Sequence, residues 1–272
     1  MKKQLLMGAA LGALTAMNPA LAADLPVKAP VRAPVVAPYN WTGCYVGGNI
    51  GYGWGRARGD INAPDINTFG GVSPLGLPTS FPISHDLNGV IGGGQIGCNW
   101  QFDNRWVLGL ETDFQGSGEK HSTNRSDPYN DGEGFSGIAN QSLEAKIQWF
   151  GTVRGRAGVL VTPTILLYGT GGLAYGKTSV VGNITATGTS PNGPFVAATS
   201  IGDSKTKVGW TLGAGVEGVL FNSNNWTWKA EYLYIDLGSL SGSGVDPLIG
   251  PYSWNAKFTD NIVRFGLNYR IP

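Results

Sequence analysis

Hydrophobic and polar positions alternate through most of the chain after residue 41. The clearest stretch is 207–236. Val208, Trp210, Leu212, Ala214, Val216, Gly218 and Leu220 fall on one side, and Lys207, Gly209, Thr211, Gly213, Gly215 and Glu217 on the other. A period of two is that of a strand, whose successive side chains point to opposite faces. Asn222, Ser223, Asn224 and Asn225 supply a turn. The return strand sets Trp228, Ala230, Tyr232 and Tyr234 against Lys229 and Glu231. One face of this hairpin is apolar and aromatic, and the other is glycine and charge. In a soluble sandwich the charged face would meet solvent. In a membrane barrel it would line the interior while the apolar face met lipid.

The same alternation predicts strands over about 42–54, 89–100, 105–115, 142–158, 164–177 and 263–271. Asp103-Asn104 and the Thr162-Pro163 region are short turns. About 56–87, 117–141, 180–204 and 239–257 are polar, Gly/Ser/Asn-rich and expected to be long loops. Eight strands with three short turns and four long loops in strict alternation predict an all-β fold, an eight-stranded antiparallel up-and-down transmembrane β-barrel with periplasmic turns and external loops. Trp100, Trp106, Trp226, Trp228 and Tyr269 collect toward the turns. Tyr52, Trp54, Phe114, Trp210, Tyr232 and Tyr234 collect toward the loops, as two interfacial belts would require.

Composition supports this. The 272 residues include 43 glycines without a collagen period, which suits strands that curve and pack closely. Lys2 and Lys3, an apolar run and Ala20-Leu21-Ala22 read as a secretory signal over 1–22. A Pro-rich periplasmic segment (23–40) follows, with Pro26, Pro30, Pro34 and Pro38, and 41–272 is the barrel. Without Lys2 and Lys3, 17 basic residues face 18 acidic ones, so no basic patch points to a nucleic-acid partner. After the N-terminus no apolar run is long enough for a transmembrane helix.

Glu111, Asp113, Glu144, Glu217 and Glu231, with Lys146, Arg154, Arg156, Lys229, Arg264 and Arg270, fall on the charged faces and are expected inside the barrel. An eight-stranded barrel is just wide enough for side chains to fill, and charges there must pair. The expectation is an interior charge network that plugs the barrel, with a narrow gated ion path as its alternative. Cys44 and Cys98 face the same way on neighbouring strands. Register places them opposite or diagonal, either bonded, which an oxidising compartment allows, or as two small side chains facing lipid.

The segments 92–97 and 213–218 match G-x-G-x-x-G, but alternation runs through both, so they are barrel wall and not the strand-to-helix turn of a dinucleotide site. His85 and His121 lie in separate predicted loops and assemble no metal set. No convergent nucleophile and base are present, so neither catalysis nor a cofactor is expected.

The stretches WTGCYVGGNIGYGWG, GVIGGGQIGCNWQ, KAEYLYIDLG and NIVRFGLNYR resemble the small outer-membrane β-barrel family of alphaproteobacteria, described as porin-family or outer-membrane immunogenic proteins and related to OmpA-type barrels. The resemblance covers about 41–271. It implies an abundant surface antigen of the cell outer membrane of a Gram-negative bacterium, in contact with lipid and lipopolysaccharide and inserted by the barrel assembly machinery. Its function would be non-enzymatic, structural and surface-interacting. The alternatives are a small porin passing ions or small solutes, or a loop-borne haemin or host-surface binder. In the haemin reading His85, His121 and Tyr129 are the candidate iron ligands. Two positions depart from the family pattern. Cys44 and Cys98 stand where aromatics are usual, and the last strand ends in Ile271-Pro272 instead of an aromatic residue.

Overall fold

The computed structural model describes residues 39–62, 64, 80–130, 134, 136–221, 223–246 and 250–271. The expected signal and nearly all of the Pro-rich segment lie outside these. The described residues form nine antiparallel strands: β1 (Gly43–Asn62), β2 (Ser80–Phe102), β3 (Trp106–Ser117), β4 (Lys120–Asn130), β5 (Ser136–Thr162), β6 (Ile165–Ser190), β7 (Gly193–Val219), β8 (Trp226–Asp246) and β9 (Gly250–Arg270). Chain neighbours pair, except β3 and β4, which each pair with β2 and β5, and β1 pairs with both β2 and β9. The sheet therefore closes on itself. β3 hands over to β4 along the same edge of β5, so the two are one wall strand interrupted at Gly118-Glu119, and the ring has eight members.

Closure removes the free edges that an open sheet would expose. It also gives each alternating face one environment. Ile50, Leu108, Leu110, Leu173, Leu212 and Phe265 point outward and are exposed. Outward aromatics gather at two levels. Trp226 packs against Tyr269 at the turn end, with ring centres 5.1 Å apart. Phe114 packs against Trp149 at 5.4 Å and Trp210 against Tyr234 at 5.3 Å at the other end. Asp103 and Asn104 both take positive φ, 48° and 53°, as the type I′ turn that matches strand twist demands. The turn before β8 is held by Ser223, whose Oγ accepts the amides of Asn225 and Trp226, each at 3.2 Å.

Among the described residues, the expected long loops are largely strand. β6 runs to Ser190 and β7 resumes at Gly193 across a tight turn. β4 and the first part of β5 likewise form a hairpin within 117–141. Ser, Thr, Gly and Asn dominate these extensions because their outer faces meet water instead of lipid, so the apolar alternation that marks a lipid-facing strand is absent. β7 pairs with β8 only as far as Trp210↔Asp236, where a bulge between Asp236 and Gly238 turns β8 aside. β2 and β4 meet only at Asn88↔Lys120. Beyond these points, among the described residues, the ring divides into two four-stranded sheets, β8–β9–β1–β2 and β4–β5–β6–β7. Their inner faces share one apolar cluster. It includes Ala57, Leu87 and Phe258 from the first sheet and Ala145, Ile147 and Val180 from the second.

A second irregularity corrects the expected facing of β5. The register shifts between Ile147 and Trp149, leaving Gln148 as an extra residue, and an extra residue reverses every side chain beyond it. Ala145 and Ile147 are buried in the interior cluster. Glu144 and Lys146, expected inside, are on the outer side, half-exposed and paired with each other at 3.1 Å. A cysteine at position 144 should therefore react on intact cells with a membrane-impermeant maleimide, whereas one at 145 should stay unlabelled. The opposite pattern would restore the uninterrupted alternation.

Candidate functional site

The interior is filled in three layers. At the turn end Trp41 is 3% exposed and packs with Val107, Leu166 and Tyr168. Its indole N–H donates to the Pro163 carbonyl at 3.1 Å, and its amide donates to Gln101 Oε1 at 2.8 Å. The chain thus enters the wall only after its first tryptophan has stoppered the mouth. Arg270, expected in the charge network, belongs to this rim instead. It donates to the Asn40 carbonyl at 2.5 Å and lies over the Tyr39 ring at 5.7 Å. It is the last residue of β9, where the interior opens to water.

The middle layer holds four cations, Arg154, Arg156, Lys229 and Arg264, and four anions, Glu111, Asp113, Glu217 and Glu231, all buried. Glu111 is the hub. It contacts Arg154, receives Lys229 Nζ at 2.8 Å, and meets Arg264 at 3.4 Å. Arg154 spans to Glu231 at 3.0 Å and Asp113 at 3.1 Å. Arg264 donates to Glu231 at 2.7 Å and to Asp113 at 2.8 Å. Arg156 donates to Glu217 at 2.6 Å, and Glu217 also accepts from Thr227 at 2.6 Å and Asn268 at 3.0 Å.

Two tyrosines complete this layer and were not singled out from sequence. Tyr45 donates to Glu111 at 2.5 Å while accepting from Arg156 at 2.8 Å. Tyr168 donates to Glu231 at 3.1 Å, and the Arg156 guanidinium stacks 4.1 Å from its ring centre. Their signal was an aromatic on a glycine-rich inward face. The glycines make room: at Gly97 a Cβ would lie 2.5 Å from the Tyr45 hydroxyl. Balanced charge and dense hydrogen bonding offset the several kcal/mol per ion that desolvation costs.

The third layer is the apolar cluster beyond, with Ile91, Phe150, Leu233 and Ile262 all buried. At its edge Glu119, in the link between β3 and β4 and outside both strands, reaches over Gly53, where a Cβ would fall 1.4 Å from its Oε1 and 3.3 Å from Asp260 Oδ2. Glu119 Oε2 accepts from Ser117 at 3.2 Å. The two buried carboxyls face each other across this gap, and a proton held between them would relieve their repulsion. Burial dominates and raises the Glu119 pKa from 4.5 to about 7, against the lowering effect of its hydrogen bonds to Asp260 and Ser117.

Cys44 stands directly opposite Cys98 in the β1–β2 register and their sulfurs are bonded. His85 and His121, placed in separate loops by the sequence, lie on β2 and β4 with rings in contact. The side chain of Tyr129 is outside the described set. No group of three or more His, Cys, Asp or Glu converges as a metal site among the described residues.

Two outcomes are expected. Because the folded state holds the Glu119 proton more tightly than the unfolded chain, the contribution is favourable at low pH. It is lost as pH rises from about 4.5 through 7, by up to about 3 kcal/mol. Glu119→Gln should flatten that part of the stability–pH curve in denaturant unfolding from lipid vesicles, and parallel curves for the two proteins would refute the shared proton. Intact mass under denaturing, non-reducing conditions should rise by two hydrogens on reduction; an unchanged mass would mean free thiols.

The chain matches the family model described as "Outer membrane protein beta-barrel domain" over residues 9–270. It is 40% identical over 232 residues to the 31 kDa outer-membrane immunogenic protein of Brucella melitensis, covering 85% of this chain and 84% of that protein. It is 32% identical over 180 residues to the 22 kDa outer membrane protein of Rhizobium leguminosarum bv. viciae, covering 65% of each. Among solved structures it is similar to OprG of Pseudomonas aeruginosa (10% identity, TM-score 0.43, 87% of this chain and 99% of that one). It is also similar to Ail of Yersinia pestis (15% identity, TM-score 0.35, 85% and 99%). The matched family, the lipid-facing outer wall and the closed ring of strands agree: the chain belongs to the outer membrane protein β-barrel domain family and is an outer-membrane β-barrel protein of a Gram-negative bacterium.

Proposed function

We propose that this barrel is a non-enzymatic, sealed scaffold whose work is done outside the membrane. The observation that carries the reading is the filled interior. A neutral network of eight buried charges sits between the Trp41 stopper and an apolar layer. A conducting path would need a continuous wet, polar lumen, and both apolar layers interrupt one. The barrel thus serves as a rigid anchor for the two four-stranded sheets that project beyond the outer girdle. Surface recognition by those sheets, with their exposed Ile138, Val196 and Val245, fits a protein whose relatives are named outer-membrane immunogenic proteins. The porin alternative finds no comparable support in the packing.

Purified protein in planar lipid bilayers should give no steady single-channel conductance at moderate voltage. Reproducible unitary steps that persist in Arg154→Ala and wild type alike would contradict the sealed scaffold and favour the porin.

A further inference from the structure

The chain has only two histidines, and the fold brings them together at a particular place. Among the described residues, β2 and β4 share a single bridge, Asn88↔Lys120. Just beyond it the strands part, and there the rings of His85 and His121 lie with centres 4.8 Å apart and planes 28° from parallel. Two imidazoles bound side by side to one ion, each at the ~2.0–2.1 Å of a metal–nitrogen bond, have ring centres about 5 Å apart. The rings are stacked in the structure, within that reach, and a turn of either ring would aim a nitrogen of each at one ion. His121 Nε2 is 2.9 Å from the Thr123 hydroxyl, so this nitrogen has a polar neighbour and is not packed against carbon. Both rings are partly exposed, which leaves an approach for an ion from water.

The surroundings favour nitrogen ligation over oxygen ligation. His85 is opposite Ala57 and His121 opposite Ala145, both buried. Asp86 is committed to Arg56 at 3.3 Å, and Glu144 to Lys146 at 3.1 Å. Calcium and magnesium, which require several oxygens, are poorly served. Zinc, copper(II) and nickel(II) accept imidazole and complete their shells with water. No third His, Cys, Asp or Glu converges among the described residues, so the site offers two protein ligands and open positions.

We propose that His85 and His121 form a two-nitrogen site for a borderline divalent transition ion, which ties β2 to β4 at the level where their backbone pairing has stopped. The ion would act as a removable cross-link between the two outer sheets along this seam.

The test uses the full mature chain without a histidine tag, folded in lipid nanodiscs. Titration with Cu²⁺ should saturate at one ion per chain, and the electron paramagnetic resonance spectrum should show coupling to imidazole nitrogen. His85→Ala and His121→Ala should each weaken binding by about tenfold or more, with His85→Gln and His121→Gln as variants of closer size. Zn²⁺ should slow hydrogen exchange at 80–87 and 120–130 in the wild type and leave the double variant unchanged. Lack of saturation, or Cu²⁺ binding undiminished in the double variant, would overturn the site. So would binding without any change in exchange on these two segments, as far as the cross-link is concerned.

Discussion

Charge cannot be left unpaired inside a barrel this narrow, and that constraint organises the rest of the molecule. Eight strands leave an interior that only side chains can fill. Glycine on the inward face of β1 and β2 gives up that space, and long charged side chains from β3, β5, β7, β8 and β9 take it. Each ion entering the layer must bring or find its counter-ion, which is why the set is neutral and why Glu111 touches four cations at once. Tyr45 and Tyr168 add hydroxyl donors to Glu111 and Glu231. The network in turn fixes the register of the wall, since slipping any strand by one residue would send its charge into lipid.

On either side of this layer the packing reverts to ordinary apolar burial, but for different reasons. The Trp41 stopper ends the barrel at the turn side and uses its indole N–H to reach a turn carbonyl. The cluster on the other side continues past the membrane, where the ring splits and the two sheets cover each other's inner faces. A barrel that was merely a pore would have no use for that second core. A projecting structure does, because hairpins of this length need an apolar face to stand up in water.

Much of this was legible in the chain. Period-two alternation located all eight wall strands, Asp103-Asn104 announced its turn, and the inward charges of 111, 113, 154, 156, 217, 229, 231 and 264 were readable from parity alone. Counting back along one hairpin put Cys44 opposite or diagonal to Cys98 but left open whether the two are bonded. Three features were hidden. Parity fails past Gln148 because a bulge is decided by packing, and so Glu144 and Lys146 were assigned to the wrong side. The outer extensions carry little hydrophobic alternation, since water bathes their exteriors, and they looked like loops. Glu119 was hidden because its partner Asp260 is more than a hundred residues away. Only the closed ring brings the two over Gly53.

The central claim, that the interior charges form one interdependent network sealing the barrel, is tested most directly by a double-mutant cycle on Arg156 and Glu217. Unfolding free energies of wild type, Arg156→Met, Glu217→Gln and the double variant would be measured in lipid vesicles. Each single change should cost about 3–5 kcal/mol by stranding a buried charge, and the double variant should cost clearly less than their sum. Strict additivity, or single variants as stable as wild type, would contradict the account.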